Sequence, residues 1–482
     1  MKLFFSFFLF IFSFTIADAQ GYKVTLKAPQ YNGGLAYLTY YYGKSMNVED
    51  SAIVNSKGIA VFQGKDKVLP GVYSIVLPGK TKLFDFLIAN KQIINISVPD
   101  TSDIINTVVI IGAEENPLFQ QYQKYASEKG KLLQRELLAY KNSTSKEDSA
   151  AHEKKYQQLN DELNIYRDNI IKDHPKSMLA TLLISMKPVP VLYSHPLTHE
   201  DSVANFQYYK KHYWGGITFM DDRIIRTPFF LPKLEQYYRN VVSPVPDSII
   251  KESDYMLLLA RSSPEMYKFL LNWLTDEYIY PKYMGQDAVF VHLFEKYHSK
   301  GVSSWLNKKQ LKTISDRAYM LMANLIGEQA ANLEMVDSSG KNVPLYNITS
   351  DYIVICFWDP TCGHCQKQVP RLDSIYNAKW KNEGVKMYGV LTETKDLEQW
   401  KKFIKDKNLG NWINVYETDA QKKITEDSKQ ASYKQLYDVI QTPTLYLLDK
   451  DKKIIAKKLT MEQMDDVLDA KIKNQSAKTA NR

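Results

Sequence analysis

Cysteine is almost absent from this chain. Among 482 residues there are three, Cys356, Cys362 and Cys365, and all fall within ten consecutive positions. So few thiols cannot form a disulfide framework over such a length, which excludes covalent staples as the source of stability. With 44% hydrophobic residues the chain can bury enough apolar surface without them.

Long apolar runs are also lacking, with one exception. The chain opens MKLFFSFFLFIFSFTIADAQ, where Lys2 precedes an apolar stretch from Leu3 to Ile16. That stretch is shorter than the ~20 residues a membrane-spanning helix needs. Ala17-Asp18-Ala19 supplies a small-x-small cleavage pattern, so residues 1–19 read as a secretory signal peptide with Gln20 as the mature N-terminus. No cysteine near that point could accept a lipid, and no later segment has transmembrane character. The expected product is periplasmic or secreted. Charge of one sign is not concentrated either. The net +8 is carried by lysines scattered among acids, which describes a solvated surface and argues against a nucleic-acid partner. Seven of the eight histidines lie between 113 and 326, none in a metal-ligand spacing on a helix. His195 and His199 are interrupted by Pro196, so no metal and no cofactor are expected.

What is present falls into three patterns. From 20 to 112, short alternating strands are broken by Gly33-Gly34, Gly58, Pro70-Gly71 and Pro78-Gly79. That spacing predicts an antiparallel, sandwich-like all-β domain. Its tyrosines, Tyr37 and Tyr40 to Tyr42, read as cross-strand aromatic pairs more readily than as a carbohydrate- or partner-binding surface. From 113 to 326 the apolar period becomes helical, which predicts an all-α domain with no chemistry of its own. From 327 to 473 strands and helices alternate, which predicts an α/β sheet. DYIVICFW reads as a strand buried on both faces, TPTLYLLDKDKKIIAKKL as a hairpin, and Thr460 with Gln463 as a capping box. The polar tail 474–482 is expected to be disordered.

Two of the cysteines carry the chemistry. In FWDPTCGHCQKQVP the strand ends at Trp358, and Asp359-Pro360-Thr361 leads to Cys362 at a helix start. Unpaired N–H groups and the helix dipole favour a thiolate there, and the thiolate is the attacking species. His364 adds a donor or positive charge. Cys365 lies one turn on, placed to resolve a mixed disulfide and leave a Cys362–Cys365 disulfide. Trp358, Gly363 and His364 are the residues expected to tune the pair. A zinc site lacks two ligands, and a haem motif lacks a histidine after Cys365. A peroxidatic loop would need Pro at Ile355 and Thr or Ser at Asp359.

The stretch resembles the active-site turn of the thioredoxin superfamily, and its surroundings resemble the TlpA/ResA-like thiol–disulfide oxidoreductases that work outside the cytoplasm. Phe357-Trp358, the CxxC, Pro370 and Thr442-Pro443 carry the likeness, which covers about 150 residues. The wider order of segments is similar to that of exported Bacteroidetes proteins. The resemblance implies a cis Pro443 lying against the cysteines and a Thr442 backbone that pairs with a substrate strand. It also implies exported thiol- or disulfide-bearing proteins as partners, and a membrane or periplasmic electron donor. Two positions depart from the pattern. Cys356 stands where thioredoxin has a buried acid, and Gln368 stands where ResA-like reductases often have a glutamate. Glu393 is a substitute candidate for proton transfer, and Cys356 reads as a small buried hydrophobe.

The direction of electron flow is divided between two signals. The resemblance implies reduction, and because the larger architecture favours it the expected function is that of a reductase. The Gly-His dipeptide, shared with protein disulfide isomerase, stabilises the reduced pair and points toward oxidase or isomerase behaviour. The span between thioredoxin and that isomerase is roughly 90 mV, about 4 kcal/mol. A partner-binding scaffold with a secondary redox domain is a third reading.

Overall fold

The computed structural model describes residues 21–79 and 81–480, so the expected signal peptide at 1–19 lies outside the described residues. The chain forms two compact units, one of residues up to Val242 with Leu259–Tyr267, the other of Ser243–Leu258 with Lys268 onward. In outline the N-terminal region is sheet-rich, the middle is helical, and the C-terminal region is a sheet layered with helices.

In the first unit, β1 (Tyr22–Lys27), β4 (Ile59–Gly64), β7 (Ile93–Ser97) and β8 (Val109–Ile111) form one sheet in the order β4-β1-β7-β8. A second sheet takes β2 (Leu35–Tyr42), β3 (Ser45–Ile53), β5 (Gly71–Leu77) and β6 (Thr81–Ile88) in the order β3-β2-β5-β6. Val24, Leu26, Phe62 and Ile94 of one sheet close over Leu38, Ile75, Phe86 and Ile88 of the other. The sandwich departs from the antiparallel expectation at β1 and β7, which pair in parallel. Tyr40 faces Tyr73 across the strands with ring centroids 6.0 Å apart, and the Arg226 guanidinium lies 3.9 Å from the Tyr40 ring centre.

The helices after the sandwich do not form a body of their own. Of these, α1 (Asn116–Asn142), α2 (Lys146–Asp173) and α3 (Met178–Met186) pack Phe119, Tyr122, Ile170 and Leu179 onto Val72 and Leu87 of the sandwich. The Asn116 side chain exchanges hydrogen bonds of 2.8 and 2.7 Å with the Leu87 backbone, satisfying a buried strand edge. Then come α4 (His199–His212), α5 (Phe230–Asn240), α6 (Pro246–Leu259), α7 (Pro264–Tyr278), α8 (Asp287–Leu293) and α9 (Lys308–Met322).

In the second unit the expected boundary at 326/327 does not separate two bodies. Lys457 of the C-terminal sheet is 4% exposed, and its ammonium is held by Asp287 of α8 and by the Asn324 carbonyl and side chain. Burial holds this lysine below the usual ammonium range. Arg317 of α9 pairs in the same way with buried Asp438. Buried charges need such partners, so these helices and the sheet form a single unit.

That sheet has six strands in the order β14-β13-β10-β11-β12-β9. They are β9 (Val336–Asp337), β10 (Tyr352–Trp358), β11 (Val385–Leu391), β12 (Ile413–Tyr416), β13 (Thr444–Asp449) and β14 (Ile454–Lys457). β10 is buried at every position. Val354, Cys356 and Trp358 enter one core with Val369, Leu372 and Leu468, while Ile353, Ile355 and Phe357 enter the other with Tyr388, Tyr437 and Tyr446. The covering helices are α10 (Gly363–Ala378), α11 (Leu397–Asp406), α12 (Asp419–Asp427) and α13 (Met461–Ala480). Thr460 and Gln463 exchange the two bonds of a capping box at the start of α13. The backbone expected to be disordered from 474 continues this helix to Ala480, with no Gly or Pro to interrupt it.

Removing one partner of the buried Lys457 pair tests this unity. Asp287→Ala should lower the stability of the second unit by about 3–5 kcal/mol. The measurement is urea unfolding followed by exposure of the Cys356 thiol in a Cys362→Ser, Cys365→Ser background. An unchanged midpoint would show that α8 is not part of the cooperative unit.

Candidate active site

The site is built where β10 leaves the sheet at its C-terminal end. The Asp359 carboxylate accepts hydrogen bonds from the Thr361 N–H and hydroxyl, both at 2.6 Å, closing a side-chain-stabilised turn. The Cys362 N–H then donates to the Asp359 carbonyl at 3.2 Å. This leaves Cys362 as the N-cap of α10, with extended backbone angles (φ −74°, ψ 118°) and its carbonyl accepting the first helical bond from Gln366. Its thiol is partly exposed, whereas Cys365, one turn along, is fully buried.

A loop from a remote part of the chain completes the site. The Thr442–Pro443 peptide is cis, and the Cys362 thiol donates to the Thr442 carbonyl at 3.4 Å. Pro443 also lines a cleft with Gln368, Leu372, Leu445 and Met461, and Arg371 and Glu462 pair at 3.0 Å on its edge. Gln368 and Pro443 were singled out from the sequence, but Arg371, Leu372, Leu445, Met461 and Glu462 were not, because they sit on three elements brought together by the sheet and share no motif.

All three cysteines are free thiols, and each has a different acidity. For Cys362, burial works against the charged form. Hydrogen bonding from the Thr442 side chain and from the Cys365 and His364 N–H groups outweighs it, so the pKa falls below the ordinary thiol value. Burial pushes Cys365 up to about 12. Cys356, fully buried in the middle of β10, is raised well above the ordinary value by burial and by neighbouring Cys365.

The other residues expected at the site take more varied positions. His364 is exposed, and what it contributes at Cys362 is its backbone N–H. Gly363 is exposed too, and an added Cβ would meet nothing within 4 Å, so the surface in front of Cys362 is open. Trp358 is fully buried and packs on Phe403 with ring centroids 5.3 Å apart. Glu393 is about half exposed and taken up by Lys434 at 2.9 Å. Gly389 of β11 is a supporting residue that the sequence pattern does not reveal. A Cβ there would come within 2.9 Å of the Trp412 ring and 3.2 Å of Trp358 Nε1, so only glycine lets the two indoles approach the strand.

Comparison with known proteins covers the same region. Residues 326–457 match the AhpC/TSA family. The thiol-disulfide oxidoreductase ResA of Bacillus thuringiensis subsp. konkukian is 27% identical over 146 residues, which is 30% of this chain and 76% of that protein. The ResA of Bacillus subtilis is 26% identical over 130 residues, 27% of this chain and 64% of its own length. Among solved structures, a domain of a possible thiol-disulfide isomerase from Cytophaga hutchinsonii shares 37% identity, with 32% of this chain and 97% of that one covered and a TM-score of 0.28. A thioredoxin-like protein from Bacteroides caccae shares 22% identity over 58% of this chain and 97% of its own, with a TM-score of 0.43. The C-terminal region of this chain is a thioredoxin-like domain of the AhpC/TSA family, of the kind found in the ResA-like thiol–disulfide oxidoreductases.

Proposed function

We propose that this protein is exported and reduces disulfides in other exported proteins through Cys362 and Cys365. One observation carries the reading. A partly exposed thiol of lowered pKa sits at a helix N-terminus against Thr442, with a buried thiol of raised pKa one turn behind it.

The two acidities divide the labour. The Cys362 thiolate attacks one sulfur of the substrate disulfide, forming a mixed disulfide and releasing the other substrate sulfur as a thiolate. Cys365 stays protonated until that point, then loses its proton and attacks Cys362 Sγ. The Cys362–Cys365 disulfide forms and the second substrate sulfur leaves. Two electrons and two protons pass to the substrate, and a membrane or periplasmic dithiol donor returns the pair to the reduced state. The open surface at Gly363, beside the Thr442 backbone, suits an extended segment of a protein substrate. The TlpA/ResA resemblance supports the reducing direction and an extracytoplasmic site of action. No helix among the described residues is long and apolar enough to cross a membrane.

A second reading rests on the same cysteine. A stabilised thiolate at Cys362, with Gly-His between the cysteines, favours the reduced pair and hence oxidase or isomerase activity. The reduction potential separates the two. By glutathione equilibration of the full chain, a value near −270 mV supports a reductase and one above roughly −200 mV an oxidase or isomerase.

Alkylation of the reduced protein at pH 7 should modify Cys362 alone, with a pH midpoint below the ~8.5 of a free thiol. Cys365 and Cys356 should react only on unfolding, as peptide mapping would show. Cys362→Ser should abolish insulin-disulfide reduction, and Cys365→Ser should accumulate a mixed disulfide on non-reducing gels. A Cys362→Ser protein that still turns over would remove the enzyme reading and leave a binding scaffold.

A further inference from the structure

The loop that brings Thr442 to Cys362 is anchored from outside the redox sheet. It leaves the single helical turn Tyr433–Leu436 and reaches β13 at Thr444. Asp438 is its first fixed point. This residue is 2% exposed and adopts a left-handed backbone (φ 47°), a conformation that aspartate takes up more readily than most side chains. Its two carboxylate oxygens are divided between Arg317 Nη1 of α9 and Lys458 Nζ, just beyond β14.

Arg317 is itself immobilised. Its Nε donates to the Ile279 carbonyl at 3.1 Å, and its guanidinium lies 4.9 Å from the Tyr280 ring centre. Asn324, just past α9, donates to the Leu436 carbonyl at 2.9 Å, gripping the same turn a second time. From Asp438 to Thr442 the chain has only Val439, Ile440 and Gln441 in between, and Ile440 is 74% exposed, so packing of that side chain cannot fix the loop.

We propose that Arg317 is a positioning residue for the redox site: through buried Asp438 it fixes the loop that carries Thr442 and Pro443 against Cys362. The inference rests on Cys362 being the nucleophile. It gives the helical segment a task in the chemistry, although none of its side chains touches the thiols. Without Arg317 the Asp438 carboxylate turns toward Lys458 and water, the left-handed residue is released, and Thr442 leaves Cys362. The thiolate then loses the Thr442 side chain and keeps the hydrogen bonds from the Cys365 thiol and from the Cys365 and His364 N–H groups. The Asp359 carboxylate does not take the place of Thr442, because Thr361 holds it and a negative charge would oppose the thiolate.

The test is the pH midpoint of Cys362 alkylation in the full chain, with protection of the Cys356 thiol as the control for folding. In Arg317→Met and Asp438→Asn the midpoint should rise by about half a unit or more, while Arg317→Lys should stay close to wild type. Loss of stability alone would not move this midpoint. If Arg317→Met fails to fold, Arg317→Gln carries the test with the same outcomes, while Lys458→Gln, which leaves Arg317 on the Asp438 carboxylate, should stay near wild type. A low wild-type midpoint that is unchanged in the folded variants would overturn the inference. A wild-type midpoint at the ordinary thiol value would overturn the functional reading, and this inference with it.

Discussion

A strand sealed on both faces sets the terms for the C-terminal half of this protein. β10 has no position open to solvent, so it needs strand neighbours on both edges and a layer of side chains above and below. Aromatic rings supply much of one layer, where Phe357 stacks with Tyr433 and meets Tyr437 and Tyr446. Tryptophans 358, 380 and 400 fill much of the other. Chain emerging from such a strand can become reactive only where it leaves the sheet, and there the Asp359 turn hands it to the start of a helix. The location of the chemistry thus follows from the burial of the strand.

Three copies of one side chain then acquire three characters through depth and hydrogen bonding. Cys356, inside the strand, behaves as a small apolar residue. Cys365, one helical turn below the surface, is kept as a thiol by burial. Cys362, at the rim, takes hydrogen bonds that favour its charged form. No acidic side chain is needed for this ordering. It is consistent with the absence of carboxylates at Cys356 and Gln368, and with Glu393 being engaged by Lys434.

The parts of this arrangement that were legible in the sequence are the local ones. A run such as DYIVICFW has no polar face and so reads as a central strand. CGHC after a turn-forming Asp-Pro-Thr reads as a helix start, and Thr460 with Gln463 reads as a cap because both partners lie within four residues. What could not be read depends on distant pairing. Arg317 and Asp438 are 121 positions apart, and nothing in the neighbourhood of either announces the other. The parallel pairing of β1 with β7 leaves no trace in alternation, which is the same for either direction. The division of the chain was misplaced for a related reason. Periodicity marks where strands give way to helices, whereas compact units form where buried surfaces and charges find partners.

The pairing of Lys457 with Asp287 and of Asp438 with Arg317 bears on how this molecule can be cut. A fragment beginning at 327 would hold every residue of the redox motif and every strand of the sheet. It would also strand an ammonium that is 4% exposed without its carboxylate, and a carboxylate that is 2% exposed without its guanidinium. The shortest piece that keeps both ions matched extends upstream through α8 and α9. Measured this way, the smallest self-sufficient redox body is longer than the recognisable motif region.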